Sequence, residues 1–264
     1  MPSVTVPSVT VCVVIPVKDD AESLERCLRA LLIQTRPPES IIVVDDGSTD
    51  GSASVAVAHG ARVVPSIGTG IPAAAATGYD AADADVCARL DADCVPPTDW
   101  IERIAAAFDE SPALAGLTGF ARFTDGPRWL RGVAIWLYLG AYFVSVATAL
   151  GHWPLFGSNL AVRRSAWDAV SGSVHRDPLV HDDMDLSFHL GPVREIRFDR
   201  TLRMGISMRP LTHQGGFGLR LRRGFRSVVV HWPAELPWLR WYRALRAANP
   251  EKSRGRRDSS RVVG

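Results

Sequence analysis

Aspartates gather at four places in the sequence where carboxylates would do chemistry. Asp19-Asp20, Asp45-Asp46 and Asp91-Ala92-Asp93 each follow an apolar run, and His181-Asp182-Asp183-Met184-Asp185 forms a fourth cluster. Carboxylates packed together repel one another, so a cation or hydrogen-bond donors must offset that cost. In Asp91-Ala92-Asp93 the alternate residues of an extended chain flank one point in space. Their hard oxygens suit Mg²⁺ or Mn²⁺, ions that keep bound water and bridge substrate phosphates. Asp45-Asp46-Gly47-Ser48-Thr49-Asp50 reads as a turn, with Gly47 permitting a tight bend and Ser48, Thr49 or Asp50 capping the next helix. Two adjacent aspartates exceed that need, and one of them is suited to accept a hydrogen bond from a nucleobase N–H. In the fourth cluster a carboxylate in a closed site would take a proton from an attacking hydroxyl. Acids at a helix start also favour the helix dipole, so Asp182 is expected to cap while Asp183 acts.

The elements that must position these groups are legible from periodicity. Val11–Val17 is a continuous β-branched run, expected as a strand buried on both faces. Leu24, Cys27, Leu28, Leu31 and Leu32 recur at helical spacing, and Asp19 with Glu22 resembles a capping box. Further strands are expected over 41–44, 61–64 and 86–90, with helices over 50–59, 73–84 and 100–108. Strands alternating with helices imply crossover connections and a parallel sheet. Ligands of such sheets bind beyond the carboxyl ends of the strands, where three of the aspartate clusters fall. Strand-like pieces recur over 194–208.

The 264 residues suffice for one full domain, and 30 Lys+Arg against 28 Asp+Glu give a net charge of only +2, which excludes a broad field for nucleic acid. Cys12, Cys27, Cys87 and Cys94 are scattered without a C-x-x-C pair, so reduced, buried thiols are expected rather than a disulfide framework or zinc site. The N-terminus repeats PSVTV and carries no basic region or cleavage site, so no signal peptide is expected. Residues 250–264 are expected to be a disordered tail.

Two segments point toward a membrane. Residues 133–150 hold no charge and permit three placements: a buried helix on the sheet, an interfacial helix, or a span. Residues 217–246 mix arginine with Trp232, Trp238 and Trp241. Seven arginines stand against one acid, Glu235, between positions 220 and 246, which suggests lipid headgroups or phosphates. The other reading is a packed C-terminal helix with a solvated basic face.

The strings VVIPVKDD, LERCLRALLIQT, VVDDGSTDGS, LDADCVPP, GSNLAVRR and HDDMDLSFHL occur in this order. Over residues 10–205 the chain resembles the inverting glycosyltransferases of family 2, which have the GT-A fold. The resemblance implies an α/β architecture, a Rossmann-like, mostly parallel sheet flanked by helices, with a hydrophobic or amphipathic helical C-terminal part. It implies one domain over 1–249, with a nucleotide-binding half at 10–100, a catalytic and acceptor half at 101–205 and an amphipathic extension at 206–249.

Carried over residue by residue, the resemblance places Pro16, Lys18 and Asp20 at the base and ribose pocket. Asp46 holds the nucleobase, Asp91 and Ala92 lie at the ribose, and Asp93 with Asp91 binds a divalent metal, Mn²⁺ or Mg²⁺. Asp183 is the base, with Asp182 standing where a glutamate is usual. Gly157, Ser158 and Asn159 lie beside the transferred sugar. A C-terminal histidine, His213 or His231, would complete the metal. The implied donor is a nucleotide-diphosphate sugar, UDP-linked by prior. The motifs do not name the acceptor; the uncharged run 133–150 and the Arg/Trp-rich 217–246 point to a lipid or lipid-linked one, at an anionic membrane surface on the cytoplasmic face. Lys18 replaces a usual aromatic, Ala75 and Ala76 replace a frequent Arg-Asn pair, and Arg240-Trp241 keep only the end of the processive Q-x-x-R-W motif. An inactive nucleotide-sugar or lipid-binding module and a nucleotidyltransferase are the competing readings.

Overall fold

The computed structural model describes residues 8–191, 194–212 and 216–248. His213 and the 250–264 tail lie outside them. In chain order the elements are β1 (Val11–Val17), α1 (Ala21–Leu32), β2 (Ser40–Asp45), α2 (Ser52–Ala58), β3 (Arg62–Pro65), α3 (Ile71–Ala81), β4 (Val86–Arg89) and α4 (Trp100–Glu110). There follow β5 (Leu114–Phe123), α5 (Arg128–Leu150), β6 (Leu160–Arg163), α6 (Arg164–Asp168), α7 (Asp182–Leu190), β7 (Glu195–Ile206), α8 (Arg209–Thr212), α9 (Gly216–Val229) and α10 (Pro237–Ala248).

The strands form one seven-stranded sheet in the order β3-β2-β1-β4-β6-β5-β7. β1 pairs in parallel with β2 and β4, and β2 with β3, so the carboxyl ends of these strands share one edge. β6 runs antiparallel to both β4 and β5, while β5 and β7 are parallel. The sheet is therefore mixed, and β5, unmarked by any turn chemistry in the sequence, is one of its longer strands.

β1 is buried along its whole length because alternate side chains enter two cores. Val11, Val13, Ile15 and Val17 face α1 and α4, with Leu24, Cys27, Leu28, Trp100 and Ile104. Cys12 and Val14 face α3, α6 and α7, with Tyr79, Trp167 and Leu186. The four cysteines are free and buried, as expected. Leu32, assigned to the buried face of α1 by spacing, is exposed instead because the helix ends there.

α5 begins at Arg128, earlier than the uncharged run. It buries one stripe, Leu139, Phe143, Val146 and Leu150, against β5 and α7. It is long and apolar enough to cross a membrane by length and composition, and only 22% of its most apolar window is buried in the fold. Much of its remaining apolar surface is bare: Trp129 is 81% exposed and Trp136 and Val144 are each 70% exposed. Residues 217–246 form two helices rather than one, and Trp241 of α10 donates its indole N–H to Thr148 O of α5 at 2.8 Å. The basic stretch is partly consumed inside the protein. Arg240 is fully buried and donates to Leu150 O, Phe188 O and Glu235, Arg243 pairs with Glu235, and Arg226 with Asp177.

Candidate active site

The parallel half of the sheet delivers its aspartates to one cavity of about 300 Å³ at the carboxyl edge. β1 ends in Pro16, Val17 and Lys18, β2 runs into Asp46, and β4 runs into Asp91, Ala92 and Asp93; all of these line the cavity, together with Asp20. Two βα loops interlock beneath it. Asp19 adopts a left-handed φ of 49°, and its carboxylate accepts the Thr49 N–H at 2.7 Å. The capping box expected from Asp19 and Glu22 is therefore not formed. Asp50 of the next loop accepts the Ala21 N–H at 2.8 Å in its place, and Ser52 Oγ accepts the Asp20 N–H at 3.3 Å.

Asp46 Oδ2 accepts the N–H of Gly70 at 2.9 Å and lies 3.6 Å from Lys18 Nζ. Gly70 has φ +86°, and a Cβ there would sit 2.9 Å from Pro178 Cβ. Only glycine brings its N–H to Asp46 in that conformation without strain or a clash. α3 presents Ile71 and Ala74 to the cavity. Ala75 and Ala76, on the same helix, are buried in the core and do not line the cavity.

Arg89 is the feature that sequence reasoning missed. It ends β4 with its side chain 3% exposed, its Nη2 2.8 Å from Asp91 Oδ1 and 3.6 Å from Asp182 Oδ2. A charge inside a strand buried on both faces is the signal that would have found it. The guanidinium joins the Asp-x-Asp loop to the start of α7. Asp182 is the first residue of α7 and His181 is its N-cap, so the expected cap by Asp182 is not made. Burial pushes the Asp182 carboxyl up, Arg89 opposes the shift, and neighbouring Asp183 adds to it.

Asp183 is buried and held by backbone N–H groups next to the cavity-lining Ser158. Its Oδ2 accepts the Gly157 N–H at 2.8 Å and lies 3.1 Å from Tyr142 Oη, which also donates to Leu155 O at 2.7 Å. Its Oδ1 accepts the Met184 N–H at 2.8 Å. Ser158, next to Gly157, lines the cavity and donates to Asp91 Oδ2 at 2.6 Å. Asn159 turns the other way. Its amide donates to Phe120 O and Leu202 O and accepts from Trp100 Nε1, each at 2.9 Å, so its side chain locks β5, β7 and α4 rather than touching a sugar.

Asp93 pairs with Arg209 at 3.0 Å, and Arg209 also reaches Asp20 at 2.6 Å. Burial, with the charge of Asp91, raises the Asp93 carboxyl above its usual range. Ligand atoms of Asp91, Asp93 and Cys94 lie within 4.8 Å of one another. The oxygens fit a hard divalent ion that would offset this charge, whereas burial pushes the Cys94 thiol well up, so it stays protonated and outside the donor set. His231, a sequence candidate for that ion, lies instead against Asp185, 3.1 Å from its Oδ1.

Comparisons with known proteins bear on the fold and the family. A mannosyltransferase from Pyrobaculum calidifontis, solved with GDP-Man and Mn²⁺, superposes with a TM-score of 0.63 at 18% identity, over 82% of this chain and 61% of that one. Glucosyl-3-phosphoglycerate synthase from Mycobacterium tuberculosis, solved with Mn²⁺, UDP and glucosyl-3-phosphoglycerate, gives 0.58 at 19% identity, over 81% and 80% of the two chains. Both share the α/β GT-A fold. The glycosyltransferase AglE of Haloferax volcanii is 35% identical over 101 residues, 35% of this chain and 33% of that protein. An undecaprenyl-phosphate 4-deoxy-4-formamido-L-arabinose transferase of Proteus mirabilis is 32% identical over 134 residues, 47% and 40% of the two. The aligned region thus spans less than half the length of these two curated relatives. The glycosyl transferase family 2 model matches residues 12–170, more than half of the chain, and the chain belongs to that family of sugar-transferring enzymes.

Proposed function

We propose that this chain transfers a sugar from a nucleotide-diphosphate donor, UDP-linked, to an acceptor hydroxyl with inversion. The observation that carries the proposal is the joint placement of Asp46, Asp91, Asp93, Lys18 and Arg209 around one cavity at the carboxyl edge of the sheet. Asp46 orients the base through a carboxylate held by Gly70 N–H. Lys18 and Arg209 supply positive charge beside the diphosphate. Asp93 and Asp91 would hold Mn²⁺ or Mg²⁺, which when bound offsets charge on the leaving diphosphate. Asp183, anchored by the Gly157 N–H next to Ser158, takes the proton of the acceptor hydroxyl. One displacement at the anomeric carbon inverts its configuration.

The acceptor in this proposal is lipid-linked, presented at the cytoplasmic face of a membrane. The exposed apolar side chains of α5 and the exposed Trp238, Trp241, Tyr242 and Leu245 of α10 support it, because the two helices abut through Trp241 and Thr148. Such an aromatic-rich apolar face suits the interfacial layer. The expected result of incubating the chain with a panel of nucleotide sugars, Mn²⁺ and a polyprenyl-linked sugar is release of a nucleoside diphosphate with one donor and formation of an extended glycolipid. Release of inorganic diphosphate from a nucleoside triphosphate would replace the proposal with nucleotidyl transfer. Donor binding without turnover would leave a binding module.

A further inference from the structure

Away from the cavity, three histidines converge on one buried carboxylate. Asp185 and His189 stand one helical turn apart on α7, His175 lies in the loop before it, and His231 follows α9. Asp185 is 1% exposed, and its Oδ1 lies 2.6 Å from His175 Nδ1, 3.1 Å from His231 Nε2 and 3.7 Å from His189 Nε2. One ligand atom from each of the four lies within 4.8 Å of the others.

The protonation pattern of His231 decides what this cluster wants. Its Nδ1 lies 2.8 Å from Ser227 O, which only accepts, so Nδ1 carries the proton. In the neutral ring Nε2 is then a lone pair facing the carboxylate oxygen. Two lone pairs at that distance repel unless a cation lies between them. The Nε2 atoms of both His231 and His189 are buried and make no aligned hydrogen bond. Phe188 stacks on the His231 ring at 4.1 Å and fixes its direction. A ring nitrogen whose partner N–H is held by a backbone carbonyl is the usual arrangement of a metal-bound histidine.

We propose that His175, Asp185, His189 and His231 form a structural zinc site. Three imidazoles and one carboxylate make a closed tetrahedral set, with no open position for substrate, and zinc–ligand lengths place the ligand atoms roughly 3.3 Å apart. The spacings around Asp185 Oδ1 bracket that figure. The ion straps the end of α9 to α7, two residues from Asp183. Asp185 accepts the His175 N–H on its other oxygen at 2.8 Å, which orients the carboxylate and draws the loop into the site. This site shares no residue with the Asp91, Asp93 and Cys94 group.

The test is metal content of the full chain, stripped with chelator and dialysed against Zn²⁺ alone. One zinc per chain is expected in the wild type and in Asp93→Asn. His189→Gln and His231→Gln are expected to lose at least the about 10- to 100-fold in affinity that removing a hydrogen-bond partner of a ligand costs. The Co²⁺-loaded wild type is expected to show the intense absorption of tetrahedral coordination, and Zn²⁺ is expected to raise its unfolding temperature. Absence of stoichiometric zinc in the wild type, or loss of zinc in Asp93→Asn with retention in His231→Gln, would overturn the proposal. Should the histidine variants not fold, the cobalt spectrum of the wild type decides: weak octahedral bands sink it. Stabilisation by falling pH without any zinc binding would mean that a shared proton fills the site instead.

Discussion

The N–H of Gly157 points at Oδ2 of Asp183 across 2.8 Å, tying the segment before β6 to the first turn of α7. A methyl group at residue 157 would lie 1.8 Å from Arg89 Nη1 and 3.2 Å from Asp183 Oδ2. Gly157→Ala must therefore push the guanidinium off Asp91 or the loop off Asp183. Transfer is expected to fall by about 10²-fold, the cost of roughly an ångström of misplacement at a catalytic centre. A steady-state assay checks it, and unchanged kcat with a folded protein would show that this packing does not position the chemistry.

Asp183→Asn keeps the shape of the carboxylate and removes its basicity. Turnover is expected to drop by about 10²- to 10⁴-fold while donor affinity, read by nucleotide-sugar titration, changes little. Asp182→Asn serves as the comparison. If it costs more turnover than Asp183→Asn, the base is the neighbouring residue.

Arg89 sits between Asp91 and Asp182 with almost no access to water. Arg89→Met leaves two carboxylates without their shared cation. Breaking a buried pair in this way costs about 3–5 kcal/mol, and an unfolding temperature lower by roughly 10 °C is expected. The Asp182 carboxyl, pushed up to about 6 by burial against the pull of Arg89, is expected to rise further in the variant. Transfer activity should then require higher pH, which a pH–rate profile would show.

His152 makes the stability depend on pH. Burial, helped by Arg240, holds its imidazole down at about 4, against an ordinary value of 6.5. Its Nε2 lies 3.0 Å from Arg240 Nη2 and accepts from it, which requires the neutral ring. The folded state binds fewer protons than the unfolded chain between those two values. Stability from this group is complete above the higher value and is lost as pH falls through the window. Thermal unfolding from pH 7 to pH 4 is expected to show that decline, and His152→Gln to flatten it.

The parallel half of the fold was legible because its strands announce themselves. Val11–Val17 is apolar on both faces, and the aspartates past β1, β2 and β4 mark the carboxyl edge. β5 was not, because Leu114–Phe123 mixes Gly116, Gly119 and Arg122 into its run and its partners are remote in sequence. Spacing placed Asp46, Asp91 and Asp93 at one site, yet could not show that Arg89 links two of the clusters or that Asn159 spends every polar atom on the core. Those facts depend on which way a side chain turns within a strand or loop. Asp19 shows the same limit: its local sequence favours a cap, and a tertiary partner at Thr49 takes the carboxylate. The arginine-rich C-terminal stretch looked like a charged outer surface, but Arg240 is drawn inside by carbonyls of α5 and α7.

The antiparallel strand β6 lies between β4 and β5 in the sheet although both precede it in the chain. While the protein is being synthesised, β4 therefore emerges with one flank unmatched and β5 with both, until residues 160–163 and then 195–206 leave the ribosome. Open flanks of that kind invite pairing with other nascent chains. Slow passage through that stretch of translation, or a shortage of chaperone during it, is where the yield of this protein would be decided.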